Sequence, residues 1–342
     1  PLTQVSGLFV SQLCLPEPFP LESSFQNKET NVQTFIFSCQ AANQKELREA
    51  LLLARSIRTF AGPHAASPIW IFTPADAALP EPPELEELDI LWHRYRIDPV
   101  ALAFLFAPKT VAAGIAEQVS VGECQQLVWL DPNIILTQDP SPLALPAGKS
   151  LACRPVDHCL IGAPWDQPLD DFWKLIYAFC GVLEDNLYPV YTLPNKSGEA
   201  PSASPESVAQ QLIAIHPYYN AGLLVVRPER GLLQAWSSAF LAHYQHPDLH
   251  PFYAQNPLYA VFIHQALLAA VILSRLSPNE IHELPLIANY PLHLYTQFPS
   301  ASRLPRLNEA ILFRYEDFFA DADWSSLIAV EEPLKSWLTD NI

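Results

Sequence analysis

Short runs of β-branched and aromatic residues alternate along this chain with segments whose apolar positions recur every three or four residues. TFIFS (34–38), PIWIFTP (68–74), ILWHRYR (90–96) and LVWLDPNIIL (127–136) are of the first kind. Such continuous apolar runs predict strands buried on both faces. After the first run, Asn43 and Glu46 form a capping pair, and Leu47, Ala50, Leu51, Ala54, Ile57 and Ala61 keep helical spacing until Gly62-Pro63 stops it. A second helix is predicted from about 108 to 121, with Pro108 near its first turn. Strand, helix, strand, strand, helix, strand is the order of an α/β fold: a mostly parallel twisted sheet with helices on both faces. In such sheets ligands collect at the C-terminal strand edge. Ser38-Cys39-Gln40, Thr73-Pro74 and Asp131-Pro132-Asn133 stand there.

The second half predicts a strand at 151–156, a helix at 170–183, an exposed Pro/Ser/Asn-rich loop at 185–207, a strand at 221–226 and helices at 229–243 and 258–273. The position of the 185–207 loop would suit a lid over a ligand. No internal repeat or clear linker divides the chain. The expected organisation is a Pro-rich N-terminal segment (1–30), one domain (31–300) and a C-terminal extension (301–342) packed on it.

Composition narrows the partners. The chain has 342 residues, with 19 Lys and Arg against 36 Asp and Glu, a formal net charge of −17. That balance disfavours nucleic acid and anionic lipid surfaces. No apolar run in the sequence reaches the roughly 18–20 residues of a membrane span. Pro is abundant at 34, Gly scarce at 10, and Met absent. The six cysteines form no C-x-x-C pair. Scattered thiols, with no basic residue before Lys28 and no signal-like start, predict a reducing, cytoplasmic setting.

Several motifs stop short. GKS at 148–150 lacks the Gly that a phosphate loop needs five residues earlier, where Leu143 stands. Neither G-x-G-x-x-G nor G-x-S-x-G occurs. His243, His246 and His250 have a spacing that could serve zinc, but Pro247 and Pro251 interrupt the helix such a site would use.

LVWLDPNIILTQDPSPL resembles the strand, Asp-x-Asp, strand segment of GT-A glycosyltransferases, the nucleotide-diphospho-sugar transferases. Four further segments are similar to that family in the same order: TFIFSCQ with its following helix, YYNAGLLVVRPE (218–229), FIHQALLAAVI (262–272) and LPLIANYP (284–291). Together they span residues 34–291. The resemblance implies a GT-A-like (Rossmann-like) fold and transfer of a sugar from a nucleoside-diphosphate sugar to a hydroxyl acceptor. A divalent cation, Mn or Mg, would be held by Asp131 and Asn133 against the diphosphate. Ser38 and Gln40 would lie at the nucleotide end, Lys109 and Arg314 would neutralise phosphate, and Asn220 and Gln265 would bind sugar hydroxyls.

The departures matter as much. Asn133 brings no charge where the family has its second Asp. His264 replaces the Asp before Gln265. Arg314 stands where metal-dependent members often supply a His, and a fixed guanidinium can pair with diphosphate without metal. For an inverting reaction Asp157, Asp166 and Asp170 are the carboxylates available as base. The alternative function is a catalytically degenerate sugar-nucleotide or glycan-binding protein. As a strand-end carboxylate, Asp131 is expected to be dispensable for folding.

Overall fold

The computed structural model describes residues 32–192, 212–298, 300, 303–320 and 323–342. The N-terminal segment 1–30, Cys14 and residues 193–207 of the predicted loop lie outside them. The chain opens with strand β1 (Gln33–Gln40), helix α1 (Gln44–Phe60), β2 (Ile69–Pro74) and β3 (Ile90–Tyr95), then α2 (Ala107–Ser120), β4 (Cys124–Leu130) and β5 (Ile134–Leu136). Next come β6 (Leu151–Cys153), α3 (Asp171–Phe179), β7 (Val190–Thr192), β8 (Ile213–Ile215) and β9 (Leu223–Val226). Helices α4 (Leu232–His243) and α5 (Leu258–Arg275) follow, then β10 (Ile281–Glu283), β11 (Tyr290–Pro291), β12 (Leu312–Arg314) and α6 (Leu334–Asn341).

Seven strands form the central sheet in the order β10-β6-β9-β4-β1-β2-β3. Its pairings are parallel except that β9 runs antiparallel to both β4 and β6. Alternate residues of each central strand serve opposite faces. Phe35, Phe37 and Cys39 pack with α1, whereas Ile36, Leu127 and Trp129 pack with α2, α4 and α5. The expected α/β architecture with helices on both faces is thus present.

Between β1 and β4 the chain changes direction across the sheet. It leaves β1 through α1 towards β2 on one face and reaches β4 through α2 on the other. Adjacent strands whose connections diverge leave a crevice beyond their C-terminal ends. The ends facing that crevice are Gln40 and Asp131.

The 127–136 run breaks at Asp131-Pro132-Asn133. Strand β5 beyond it joins a separate sheet, β11-β12-β5, with Arg314 opposite Ile134. Pro132 has no N–H for a ladder, so the break falls where the sequence cannot continue pairing. Other predicted elements are shorter than expected. The 151–156 strand ends at Cys153, and the 170–183 helix ends at Phe179. Within the predicted 185–207 loop, Val190–Thr192 is a strand paired with Ile213–Ile215. The 284–291 strand is chiefly a 3-10 turn, Leu286–Asn289, followed by two strand residues. Helix α5 is long and apolar enough to cross a membrane by length and composition, but Ile263–Leu273 is buried against its neighbours. An all-round apolar helix buried in this way is a core helix.

Helices α2 and α4 approach closely because Gly114 has no side chain; a Cβ there would come within 2.7 Å of Ser237 Cβ. The same pair shares a buried carboxylate. Glu117 on α2 accepts hydrogen bonds from the backbone N–H groups of Leu232 and Gln234, each at 2.9 Å, and so caps the first turn of α4. Gly231, the residue before α4, has no side chain to do this. Burial pushes the Glu117 carboxyl up to about 7, against the opposing effect of these bonds. Glu117→Ala should strand one buried and one part-buried donor and cost about 2–4 kcal/mol in chemical denaturation. A loss below about 1 kcal/mol would show that α4 does not depend on this cap.

Candidate functional site

A cleft of about 450 Å³ opens at the β1/β4 crevice. Its floor is set by strand ends. Gln40 terminates β1, and Asp131 follows β4 with its N–H bonded to the carbonyl of Gly222 at 2.8 Å. Asn133 begins the turn into β5, and its carbonyl accepts from the N–H of Tyr315 at 3.1 Å. That bond, with the β5–β12 ladder, brings Arg314 to the same place. Gly222 is the closest point of approach: a Cβ there would lie 2.8 Å from Asp131 Oδ2 and 2.9 Å from Asn220 Oδ1. Only glycine leaves room for both side chains.

Of the residues singled out from the sequence, Gln40, Lys109, Asp131, Asn133, Asn220, Gln265 and Arg314 all line this cleft. They come from positions spread between 40 and 314. Ser38 does not; its hydroxyl is buried within β1 without a hydrogen-bond partner. Asp157 does not either. Its Oδ1 lies 3.5 Å from Arg154 and its Oδ2 3.4 Å from Arg314, so both oxygens hold guanidinium groups rather than face an acceptor. Asp170 caps α3 by accepting from the N–H of Trp173, and Asp166 is exposed away from the cleft lining.

The central contact is an ion pair. Lys109 Nζ, in the first turn of α2, lies 2.6 Å from Asp131 Oδ1, with side-chain exposures of 4% and 18%. The ammonium also stands 5.6 Å from the centre of the Phe106 ring, a cation–π contact. Asp131 is therefore the counter-ion of a buried lysine, which corrects the expectation that it is structurally dispensable. Removing it takes the ion-pair partner from a buried ammonium.

A divalent cation does not fit this donor set. One oxygen of Asp131 is already taken by an ammonium, Asn133 offers only a neutral oxygen, and the Arg314 guanidinium stands beside them. Beside Asp131 a dication would meet the Lys109 ammonium and the Arg314 guanidinium, while the other cleft carboxylates stand on the rim. Among the described residues no group of three or more acidic, His or Cys side chains is placed to hold a metal. The histidine series is likewise not assembled: His243 stacks on Phe179 at 4.1 Å, while His246 accepts from the N–H of Asp248.

Sequence reading missed the acidic rim. Glu46, Glu49, Glu316 and Asp317 join Asp131 in the lining, against Lys45, Lys109 and Arg314. Glu46 is there because it completes the α1 cap, accepting from the N–H of Ala42 at 2.8 Å and from the amide of Gln40 at 3.2 Å. The Asn43/Glu46 cap signal therefore also marked a cleft residue. Burial raises the carboxyls of Glu46 and Glu316, and that of Glu49 to about 7. Two cleft oxygens have no donor: Oε1 of Gln40 and Oδ1 of Asn133 are buried and unpartnered. Such atoms are costly unless a ligand or water meets them.

No family profile matches the chain, and no curated protein matches it. Solved structures do. A galactosyltransferase, LgtC, in complex with donor and acceptor sugar analogues is 12% identical, with 90% of this chain and 100% of that chain covered at a TM-score of 0.43. The WbbM bifunctional glycosyltransferase is 12% identical at a TM-score of 0.45, covering 92% of this chain but 53% of its own. Mouse xyloside xylosyltransferase 1 is 12% identical at a TM-score of 0.41, with 82% and 97% covered.

Two substitutions test the ion pair. Asp131→Ala should destabilise the protein by about 3 kcal/mol, because the buried Lys109 loses its ion-pair partner. Lys109→Met, which removes the buried charge and keeps the stem volume, should cost clearly less. Equal stability of wild type and Asp131→Ala in urea unfolding would contradict the pairing.

Proposed function

We propose that this chain is a glycosyltransferase that takes its sugar from a nucleoside diphosphate, and that it does so without a resident divalent cation. The observation that carries the reading is the convergence of Gln40, Asp131, Asn220, Gln265 and Arg314 on one cleft at the sheet's switch point. Gln40, Asp131, Asn220 and Gln265 lie in the segments that resemble the GT-A enzymes, and Arg314 stands where the sequence departs from them.

The chemistry follows from the residues. When the bond between sugar and diphosphate breaks, negative charge grows on the leaving phosphate. Fixed cations aimed at that charge stabilise it. Arg314 is the strongest such group, a planar donor held at the cleft by Asp157 and near Glu316, whose Oε1 lies 3.4 Å from its Nε. Lys109 supplies a second positive charge, and Lys45 a third at the mouth. Amide and carboxylate groups along the floor offer both donors and acceptors to hydroxyls. The acceptor is a hydroxyl-bearing glycan or small molecule. The described cysteines Cys39, Cys124, Cys153, Cys159 and Cys180 are free thiols, which supports a cytoplasmic setting.

One observation favours the second reading, a binding protein without turnover. Each cleft cation already has an acid: Lys109 with Asp131, Arg314 with Asp157, and Lys45 with Asp317 at 3.3 Å. A diphosphate must compete with those partners.

Release of nucleoside diphosphate from a panel of sugar nucleotides separates these readings. Turnover should persist in excess EDTA and should not rise with manganese. Arg314→Ala should lower donor affinity by tenfold or more, since a charge-assisted contact is lost. A strict manganese requirement would overturn the metal-independent reading. Saturable binding without release would favour the binding protein, and the absence of any binding would remove both.

A further inference from the structure

One turn of the chain supplies two of the acids that line the cleft. Strand β12 ends at Arg314, and Glu316 and Asp317 follow in consecutive positions, both in the lining. The turn is pinned around them. The N–H of Tyr315 is bonded to the carbonyl of Asn133 at 3.1 Å, and the N–H of Phe318 to the carbonyl of Tyr315 at 2.8 Å. The rings of Tyr315 and Phe319 pack with centres 5.4 Å apart. Between these anchors Glu316 adopts a left-handed backbone, φ 45°. A residue other than glycine keeps that conformation only where its surroundings impose it.

The two acids reach two different cations. Glu316 Oε1 lies 3.4 Å from Arg314 Nε, and Asp317 Oδ1 lies 3.3 Å from Lys45 Nζ on α1. Lys45 and Arg314 themselves line the cleft. His293 also touches Glu316, with Nε2 3.4 Å from the same Oε1. Burial first, and then Arg314, push that imidazole down to about 3, so the ring is uncharged and Arg314 is the cation that Glu316 meets.

The two edges of the Arg314 guanidinium differ. Nη2 is paired with Asp157, whose side chain is 3% exposed, and Nε faces Glu316, whose side chain is 47% exposed. The first contact is sealed in the wall; the second can be exchanged. Nε is also buried without a hydrogen-bond acceptor among the described residues, so its contact with Glu316 is one of charge alone. A donor in that condition gains from a better-placed oxygen.

Two anions in sequence, one on Arg314 and one on Lys45, are what a diphosphate would present to the same cations. We infer that the Glu316-Asp317 turn is an intramolecular stand-in for the donor's diphosphate: its carboxylates hold Arg314 and Lys45 until a nucleoside diphosphate enters, and return to them as it leaves. The inference rests on the sugar-nucleotide reading. It makes the turn an autoinhibitory contact against binding and an aid to product release, because carboxylate and phosphate repel each other at a shared cation.

Calorimetry with UDP, GDP and inorganic pyrophosphate at about pH 8.5 tests it on Glu316→Gln, Asp317→Asn and the double variant. These amides keep the shape of the turn and remove its charge. Glu49→Gln is the control. Glu49 lines the same cleft, lies 3.8 Å from Lys45, and has its carboxyl pushed up to about 7, so at the assay pH this change also removes a negative charge. For each probe that wild type binds, Glu316→Gln should tighten binding about tenfold and the double variant further. Asp317→Asn should gain less, since its ion pair is exposed, and Glu49→Gln about twofold at most. Binding by the double variant where wild type shows none is the same result at its limit. Unchanged or weaker binding in Glu316→Gln would overturn the inference and leave the cleft reading intact. An equal gain in Glu49→Gln would also overturn it, as a general effect of charge. If neither wild type nor the double variant binds any of the three probes, the cleft reading fails and this inference fails with it.

Discussion

A buried ammonium must have a counter-charge, and in this protein that demand ties a helix on one face to the C-terminal edge of the sheet. Lys109 begins a helix on one face, and Asp131 follows the strand that the helix leads into; their contact at 2.6 Å forms part of the cleft wall. The cost of burying Lys109 alone, several kcal/mol, keeps Asp131 in place. Through Asp131 it also orders what is built around that carboxylate. The N–H of Asp131 is bonded to Gly222, Gly222 leaves room for Asn220 and Arg314, and Asn133 two residues on is bonded to Tyr315. A stability-bearing contact and a ligand-facing wall are therefore the same atoms.

That arrangement settles how positive charge reaches the cleft. The net charge of −17 would expel a diphosphate unless cations were gathered locally. They are gathered, but each is held by an acid that fixes its position. Asp157 illustrates the point: buried between Arg154 and Arg314, it sets where the guanidinium stands. Pre-positioned groups need no reorganisation when charge develops. Burial raises the carboxyls of Glu46 and Glu316, and pushes that of Glu49 up to about 7.

The sequence made the sheet legible because its strands are buried on both faces, and continuous apolar runs such as TFIFS and LVWL have few other uses. The capping of α1 by Asn43 and Glu46 was equally local and equally readable. The convergence of Gln40, Asp131, Asn220 and Gln265 was visible through the ordered resemblance of separate segments, and Lys109 and Arg314 were singled out as cations that could meet phosphate. Their pairing was not: nothing in the spacing says that Lys109 reaches Asp131 or that Asp157 turns towards two arginines, since these contacts depend on how faces and loops meet. The contact of Phe106 with Lys109 was hidden for the same reason, because its left-handed backbone in a non-glycine residue leaves no mark on the sequence. The split at Pro132 was readable in principle, as a residue without an N–H cannot extend a ladder. What could not be read was that β5 would join a different sheet and bring Arg314 with it.

The central claim is that fixed side-chain cations, rather than a bound metal, receive the diphosphate in the β1/β4 crevice. A diffraction structure of crystals soaked with a sugar nucleotide and manganese together tests it most directly. The account predicts phosphate oxygens within hydrogen-bonding distance of Arg314 and Lys109, with no metal between them and Asp131. A manganese ion coordinated by Asp131 and the phosphates, with Lys109 swung away, would contradict it.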